Sequence, residues 1–139
     1  GDAIREKGQE YGTTTGRPRR TGWFDVLILR HAVRVNGLTG LAINKLDTLS
    51  GLKTLKICVG YQLPDGSRQN ELPPCMEMLE DCQPIYEELS GFEGDITACR
   101  TYEALPWQAK EYLKRIEELC GCPITFIGVG PDRSDVIEC

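Results

Sequence analysis

Residues 106–132, Pro-Trp-Gln-Ala-Lys-Glu-Tyr-Leu-Lys-Arg-Ile-Glu-Glu-Leu-Cys-Gly-Cys-Pro-Ile-Thr-Phe-Ile-Gly-Val-Gly-Pro-Asp, decide the fold. Pro106 falls where a helix tolerates proline, in the first turn, because that N–H has no intrahelical partner. Ala109, Tyr112, Leu113, Ile116, Leu119 and Cys120 then recur at helical spacing and form one apolar face. Glu111 and Arg115 are spaced to pair on the other face. Gly121 stops the helix. Pro123 to Ile127 reads as a short buried strand, and Gly128-Val129-Gly130-Pro131-Asp132 as a tight loop after it. A helix feeding a buried strand is the repeating unit of an α/β fold.

The same alternation appears nearer the start. Val26, Leu27, Leu29, Ala32, Val33 and Val35 predict a helix of about three turns after Trp23, ended by Asn36-Gly37, two residues that tolerate the left-handed conformation. Leu41-Ala42-Ile43 follows as a strand that delivers Asn44 at its C-terminal end. Thr54 to Leu63 alternates as a strand, Pro64-Asp65-Gly66-Ser67 signals a turn, and a return strand is expected through Asn70 to Leu72 until Pro73-Pro74 breaks it. Pro84 to Leu89 reads as another short strand, and residues 1–12 as a loop or short strand. The expected architecture is α/β: part of a mostly parallel central sheet flanked by helices, with an antiparallel hairpin excursion. Trp23 and Trp107, at helix starts, read as core anchors. His31 reads as a satisfied or solvated helical residue, and Glu77 to Asp81 as a solvated face.

With 139 residues, one domain is expected. The net charge of −5 argues against a nucleic-acid-binding domain, which carries a basic excess. Seven cysteines and a single histidine include no Cys-x-x-Cys pair, so scattered reduced thiols are expected rather than a zinc site. No apolar run is long enough for a membrane span and no signal-peptide pattern is present, so a cytoplasmic location without membrane contact is expected.

Two segments carry chemistry. Thr13-Thr14-Thr15-Gly16-Arg17-Pro18-Arg19-Arg20 lies in an expected exposed loop, 12–21. Hydroxyls and backbone N–H groups donate to oxyanions, and each guanidinium presents a planar fork to carboxylate or phosphate. Three arginines within four residues also repel one another and need an anion nearby. Asn44-Lys45-Leu46-Asp47 has the pattern that reads guanine. Guanine presents N1–H and an exocyclic amino group on one edge, and the Asp47 carboxylate can accept from both. Adenine cannot donate twice to that group. Gly128, Val129 and Gly130 permit close approach to a flat ligand. Each segment also has a plainer reading: a basic surface loop, a solvated turn, and an ordinary strand-to-turn connection.

Taken together, Gly8 to Trp23 (GQEYGTTTGRPRRTGW) resembles the aspartate loop of adenylosuccinate synthetases. The resemblance continues through the helix at 24–36, Lys45-Leu46-Asp47, Pro84-Ile85-Tyr86-Glu87 and Gly130-Pro131-Asp132-Arg133. It covers nearly the whole chain and corresponds to the C-terminal third of a bacterial-type enzyme. It implies a P-loop NTPase-like fold and a ligase of purine biosynthesis. Such a ligase joins IMP to L-aspartate with GTP and Mg²⁺: the 6-oxygen of IMP is phosphorylated, and the amine of aspartate displaces the phosphate. By position, Thr13, Thr14, Thr15, Gly16, Arg17 and Arg19 resemble the aspartate- and IMP-binding loop. Arg19 also resembles a GTP-phosphate contact. Lys45, Leu46, Asp47, Gly128, Val129 and Gly130 resemble the GTP-binding elements.

The family's phosphate loop and its catalytic acid and base find no match in this chain, and its Mg²⁺ ligands are expected elsewhere. No catalytic residue is therefore expected here, and the chain alone is expected to be inactive. A homodimer is implied for the whole enzyme, and self-association or a missing partner is expected for this part. The alternatives are a non-catalytic guanine-nucleotide-binding module, or a nucleic-acid contact domain using Arg17, Arg19 and Arg20. Shared geometry decides the matter: Asp47 and Arg17 are expected on the rim of one crevice.

Overall fold

The computed structural model describes residues 1–139, the side chain of Met76 excepted. The chain opens with a short helix, α1 (Asp2–Lys7), where a loop or strand was expected. Its six residues bury nothing, so no apolar period announces it. It rests on an acidic first turn, an Asp2–Arg5 ion pair at 2.7 Å and Gly8 at its end. A two-residue strand, β1 (Phe24–Asp25), leads into α2 (Val26–Asn36). Asp25 caps α2 by accepting from Leu27 N and Ile28 N, and Gly37 ends it in the left-handed conformation. Then follow β2 (Leu41–Ile43), a 3-10 turn at Leu46–Leu49, β3 (Thr54–Gln62), β4 (Arg68–Gln69), α3 (Met76–Glu80) and β5 (Gln83–Ser90). The chain finishes with α4 (Trp107–Cys120), β6 (Ile124–Gly128) and β7 (Val136–Glu138).

The α/β class holds, and its strands divide between two mixed sheets. In one, β1 pairs parallel with β3, and β3 pairs antiparallel with β4 and β5. In the other, β2 pairs parallel with β6, and β6 pairs antiparallel with β7. The parallel pairs are those joined through helices, as the alternation implies. The return strand comes two residues early, at Arg68–Gln69, because Ser67 already closes the turn through Asp65. The longer antiparallel partner of β3 is β5, and it includes the Pro84–Leu89 segment.

The core lies where α2 and α4 pack against the strands. Val26 and Leu27 from α2 meet Ala109, Leu113 and Ile116 from α4, over Leu55, Ile57 and Ile127 from the sheets. Tyr112, buried on α4, has its phenol pushed upward in pKa by desolvation, so it stays neutral. Arg115 does not pair with Glu111. It forks onto Glu87 of β5 at 2.6 and 2.9 Å and adds Glu118 at 3.1 Å, tying helix to sheet. A carboxylate that accepts two parallel bonds outcompetes one reached across a single helical turn. Trp23 packs against the core as expected, but Trp107 is 61% exposed. At the first position of α4 it faces away from the stripe formed by Ala109, Tyr112 and Leu113.

Candidate functional site

Strands β2 and β6 run parallel, with a register shift between Leu41 and Ala42 after which Ile43 stands opposite Ile127. Their carboxyl ends therefore emerge side by side, which is where open α/β sheets place ligand crevices. One end releases Asn44-Lys45-Leu46-Asp47 and the other releases Gly128-Val129-Gly130. The two segments touch because Gly128 has no side chain: a Cβ there would stand 3.1 Å from Asn44 Oδ1 and 3.2 Å from Asn44 Cα. They line a cavity of about 680 Å³, together with Lys7, Gly8, Gln9, Pro131 and Asp135. Leu46 and Val129 are fully buried and hold the two rims to the core.

Within this cavity Asp47 is half-buried, and its Oδ1 is shielded from solvent without a hydrogen-bond partner. An unpaired buried carboxylate oxygen costs a few kcal/mol, so it marks a place where a donor is wanted. Lys45 takes a left-handed backbone (φ 61°), uncommon for a residue with a side chain. The turn holds it there through Thr48 Oγ1, which donates to Lys45 O at 2.7 Å. The side chain is anchored too. Its Nζ donates to Gly8 O at 2.7 Å and to Glu10 Oε1.

Asp135, only 7% exposed, was not singled out by sequence, yet it shapes the opposite rim. Its Oδ2 accepts from Asp132 N at 3.1 Å, its carbonyl from Val129 N at 2.8 Å, and its Oδ1 from Arg100 Nη2 at 2.8 Å. A Cβ on Gly130 would fall on the Asp135 carboxylate, so a larger residue there must push that carboxylate off its bonds from Arg100 and Asp132 N.

The arginine-rich loop is closed at its neck by backbone pairing. Gly12 N donates to Arg17 O at 2.8 Å, Arg19 N to Glu10 O at 3.0 Å, and Tyr11 bridges Pro18. Thr13 to Arg20 are all exposed, and Gly16 adopts φ 64°, which suits the tip. Arg19 donates to Glu10 Oε2 at 3.0 Å, which supplies the anion the cluster needs. The Glu10 carboxyl is held below its ordinary range, first by its hydrogen bond from Lys45 and further by Arg19. A second cavity, of about 380 Å³, includes Glu10, Thr21 and Trp23 and shares Gly8, Asn44, Lys45 and Thr48 with the first. The expectation that Asp47 and Arg17 share the rim of one crevice is not met. Arg17 lines neither cavity; the loop is tied to the Asp47 turn through Arg19, Glu10 and Lys45.

Among the described residues, no group of three or more His, Cys, Asp or Glu side chains is placed to hold a metal ion. His31 is half-buried on α2. The cysteines are free thiols, and burial raises the pKa of Cys58 and Cys120.

An open cavity at the carboxyl ends of paired parallel strands, one rim carrying an orphaned carboxylate oxygen, marks an α/β protein with a candidate ligand crevice. Comparison with known proteins narrows the class. A family model described as Adenylosuccinate synthetase matches residues 1–137. The adenylosuccinate synthetase of Geotalea daltonii is 53% identical over 99% of this chain. That of Lactococcus lactis subsp. cremoris is 55% identical, also over 99%. The fully ligated adenylosuccinate synthetase of Plasmodium falciparum superposes over the whole chain with TM-score 0.95 and 40% identity. The chain belongs to the adenylosuccinate synthetase family. It spans about a third of the length of the curated relatives it matches, 32% of the Geotalea protein and 33% of the Lactococcus protein.

Proposed function

We propose that this chain is the guanine- and aspartate-recognising part of an enzyme that forms adenylosuccinate from IMP and L-aspartate at the expense of GTP. The observation that carries the proposal is the partnerless Asp47 Oδ1 beside Lys45 and Gly128 at the paired strand ends. A guanine edge supplies the two donors that one carboxylate accepts. The Lys45 methylenes, held by the ammonium at Gly8 and Glu10, make one wall for the ring, and Gly128 to Gly130 make the other. Thr13, Thr14, Thr15, Gly16, Arg17 and Arg19 present hydroxyl, amide and guanidinium donors suited to the two carboxylates of aspartate, with Arg19 also near enough to the Lys45 turn for GTP phosphates. The phosphate loop, the acid and base acting on IMP, and the Mg²⁺ ligands belong to the part of the enzyme outside this chain. The whole enzyme is a cytoplasmic homodimer in this reading, and the chain alone turns nothing over.

The test is nucleotide titration by calorimetry. GDP is expected to bind and ADP to bind far more weakly. Asp47→Asn removes one acceptor and puts an amide donor against the guanine amino group. The loss is about 2 kcal/mol, or roughly 30-fold in Kd. Xanthosine diphosphate carries a carbonyl where guanine has that amino group, so it is expected to bind the variant better than GDP does. Equal affinity of the native chain for GDP and ADP, or a variant indifferent to base, contradicts the reading. Adenylosuccinate formation by the chain alone contradicts the division of labour.

A further inference from the structure

Glu10 sits between the two loops assigned to ligands, and the proposed chemistry uses it only as an anchor for the Lys45 ammonium. Its Oε2 accepts from Arg19 at 3.0 Å and its Oε1 accepts from Lys45. Its backbone carbonyl accepts from Arg19 N at 3.0 Å, at the neck of the arginine-rich loop. The Lys45 ammonium is fixed from its other side by Gly8 O. One carboxylate thus spans two segments distant in sequence, and at 21% side-chain exposure it is the most enclosed member of the trio. A carboxylate satisfies two cations at once only when both stand at hydrogen-bond distance. The amide of glutamine has one acceptor oxygen and a donor that repels the second cation. The bridge therefore fixes the distance between the loops as well as their charge balance.

We infer that Glu10 is a positioning residue that holds Arg19 and Lys45 in register, so that the anion-binding loop and the base-reading turn become ordered together. The inference rests on the guanine reading of the Lys45 turn for its ligand arm and is independent of it in its ligand-free arm. When Lys45 is clamped over a base, the neck at Arg19 tightens.

Two readouts taken on the whole chain test this. The first is trypsin nicking after Arg19 and Arg20, since Arg17 is shielded by Pro18. The second is GDP affinity. Glu10→Gln is expected to raise nicking and weaken GDP binding, each roughly five-fold, the lower end of ordinary coupling between sites. Lys45→Met, a change in the other segment, is expected to raise nicking in the native background and to add nothing in Glu10→Gln. Glu10→Asp keeps the charge and recovers part of both effects. The unfolding midpoint is expected to stay within about 3 °C throughout, because the bridge is solvent-accessible.

If Asp47→Asn impairs GDP binding but Glu10→Gln leaves it intact, the inference falls and the guanine reading stands. If the native chain shows no base preference, the guanine reading falls, and the ligand-free arm decides. Faster nicking in Lys45→Met then sustains the link, and unchanged nicking overturns it.

Discussion

Asp25 shows how much one carboxylate can organise. It caps α2 through Leu27 N and Ile28 N and accepts from the Tyr61 hydroxyl on β3. Burial, helped by that carboxylate, raises the Tyr61 pKa, so the phenol remains a donor. Asp25→Ala is expected to cost about 2 kcal/mol in urea unfolding, the upper end for loss of a cap, since a buried hydroxyl also loses its partner. Tyr61→Phe, which removes only the hydroxyl, is expected to cost less. Glu87 offers a pH test. Its hydrogen bonds from Arg115 hold the carboxyl below its ordinary value of 4.5. A lowered folded-state pKa contributes stability in full above that ordinary value and loses it as pH falls through the lowered one. Glu87→Gln is therefore expected to cost about 0.5–1 kcal/mol at neutral pH, the range for a partly exposed pair, with the difference closing in acid. A difference that grew as pH fell contradicts the assignment. At this scale, the turn carrying Lys45 and Asp47 was legible as a candidate site because the proposed base reader is a local four-residue pattern. Glu10, Arg100 and Asp135 were not, because their roles come from partners 35 residues away that only folding brings near.

The elements were legible in proportion to the apolar area they bury. α4 declared itself through Ala109, Tyr112, Leu113 and Ile116, whose spacing is that of the buried face. α2 did so through Val26 and Leu27, and its Asn36-Gly37 end fell where Gly37 takes φ 60°. α1 stayed hidden, since a six-residue helix with no buried residue has no period to read. The division into two sheets was equally hidden: each strand's sequence reports that it is buried, not which neighbour it pairs with. The join between β5 and the turn before β3 gives an element-scale prediction. Gly51 N donates to Phe92 O and Gly91 N to Lys53 O, both at 2.8–2.9 Å, and a Cβ on Gly91 would lie inside the Leu52 carbonyl. Gly91→Ala is expected to destabilise by about 2 kcal/mol or more, because backbone rather than a flexible side chain must move. A midpoint in urea equal to that of the native chain contradicts this packing.

Across the whole molecule, apolar surface remains on the side away from the core. Ala42 and Phe126 face each other across β2 and β6, and both are exposed; Val136 on β7 is exposed as well. Ile28 and Val35 are exposed on α2. Surfaces of this kind are interaction sites or association liabilities. Sedimentation is expected to show an average mass that rises with concentration, and a strictly monomeric chain at high concentration contradicts that expectation. No helix among the described residues is long and apolar enough to cross a membrane. In the function proposed above, two loops at the paired ends of β2 and β6 form a guanine-specific crevice. The most direct measurement is an amide chemical-shift map of the labelled chain titrated with GDP and, separately, with ADP. GDP is expected to move Lys45, Leu46, Asp47, Gly128, Val129 and Gly130, with a weaker response at Arg19 carried through Glu10, and ADP to leave them in place. The same shifts with both nucleotides, or shifts confined to other parts of the chain, contradict the account.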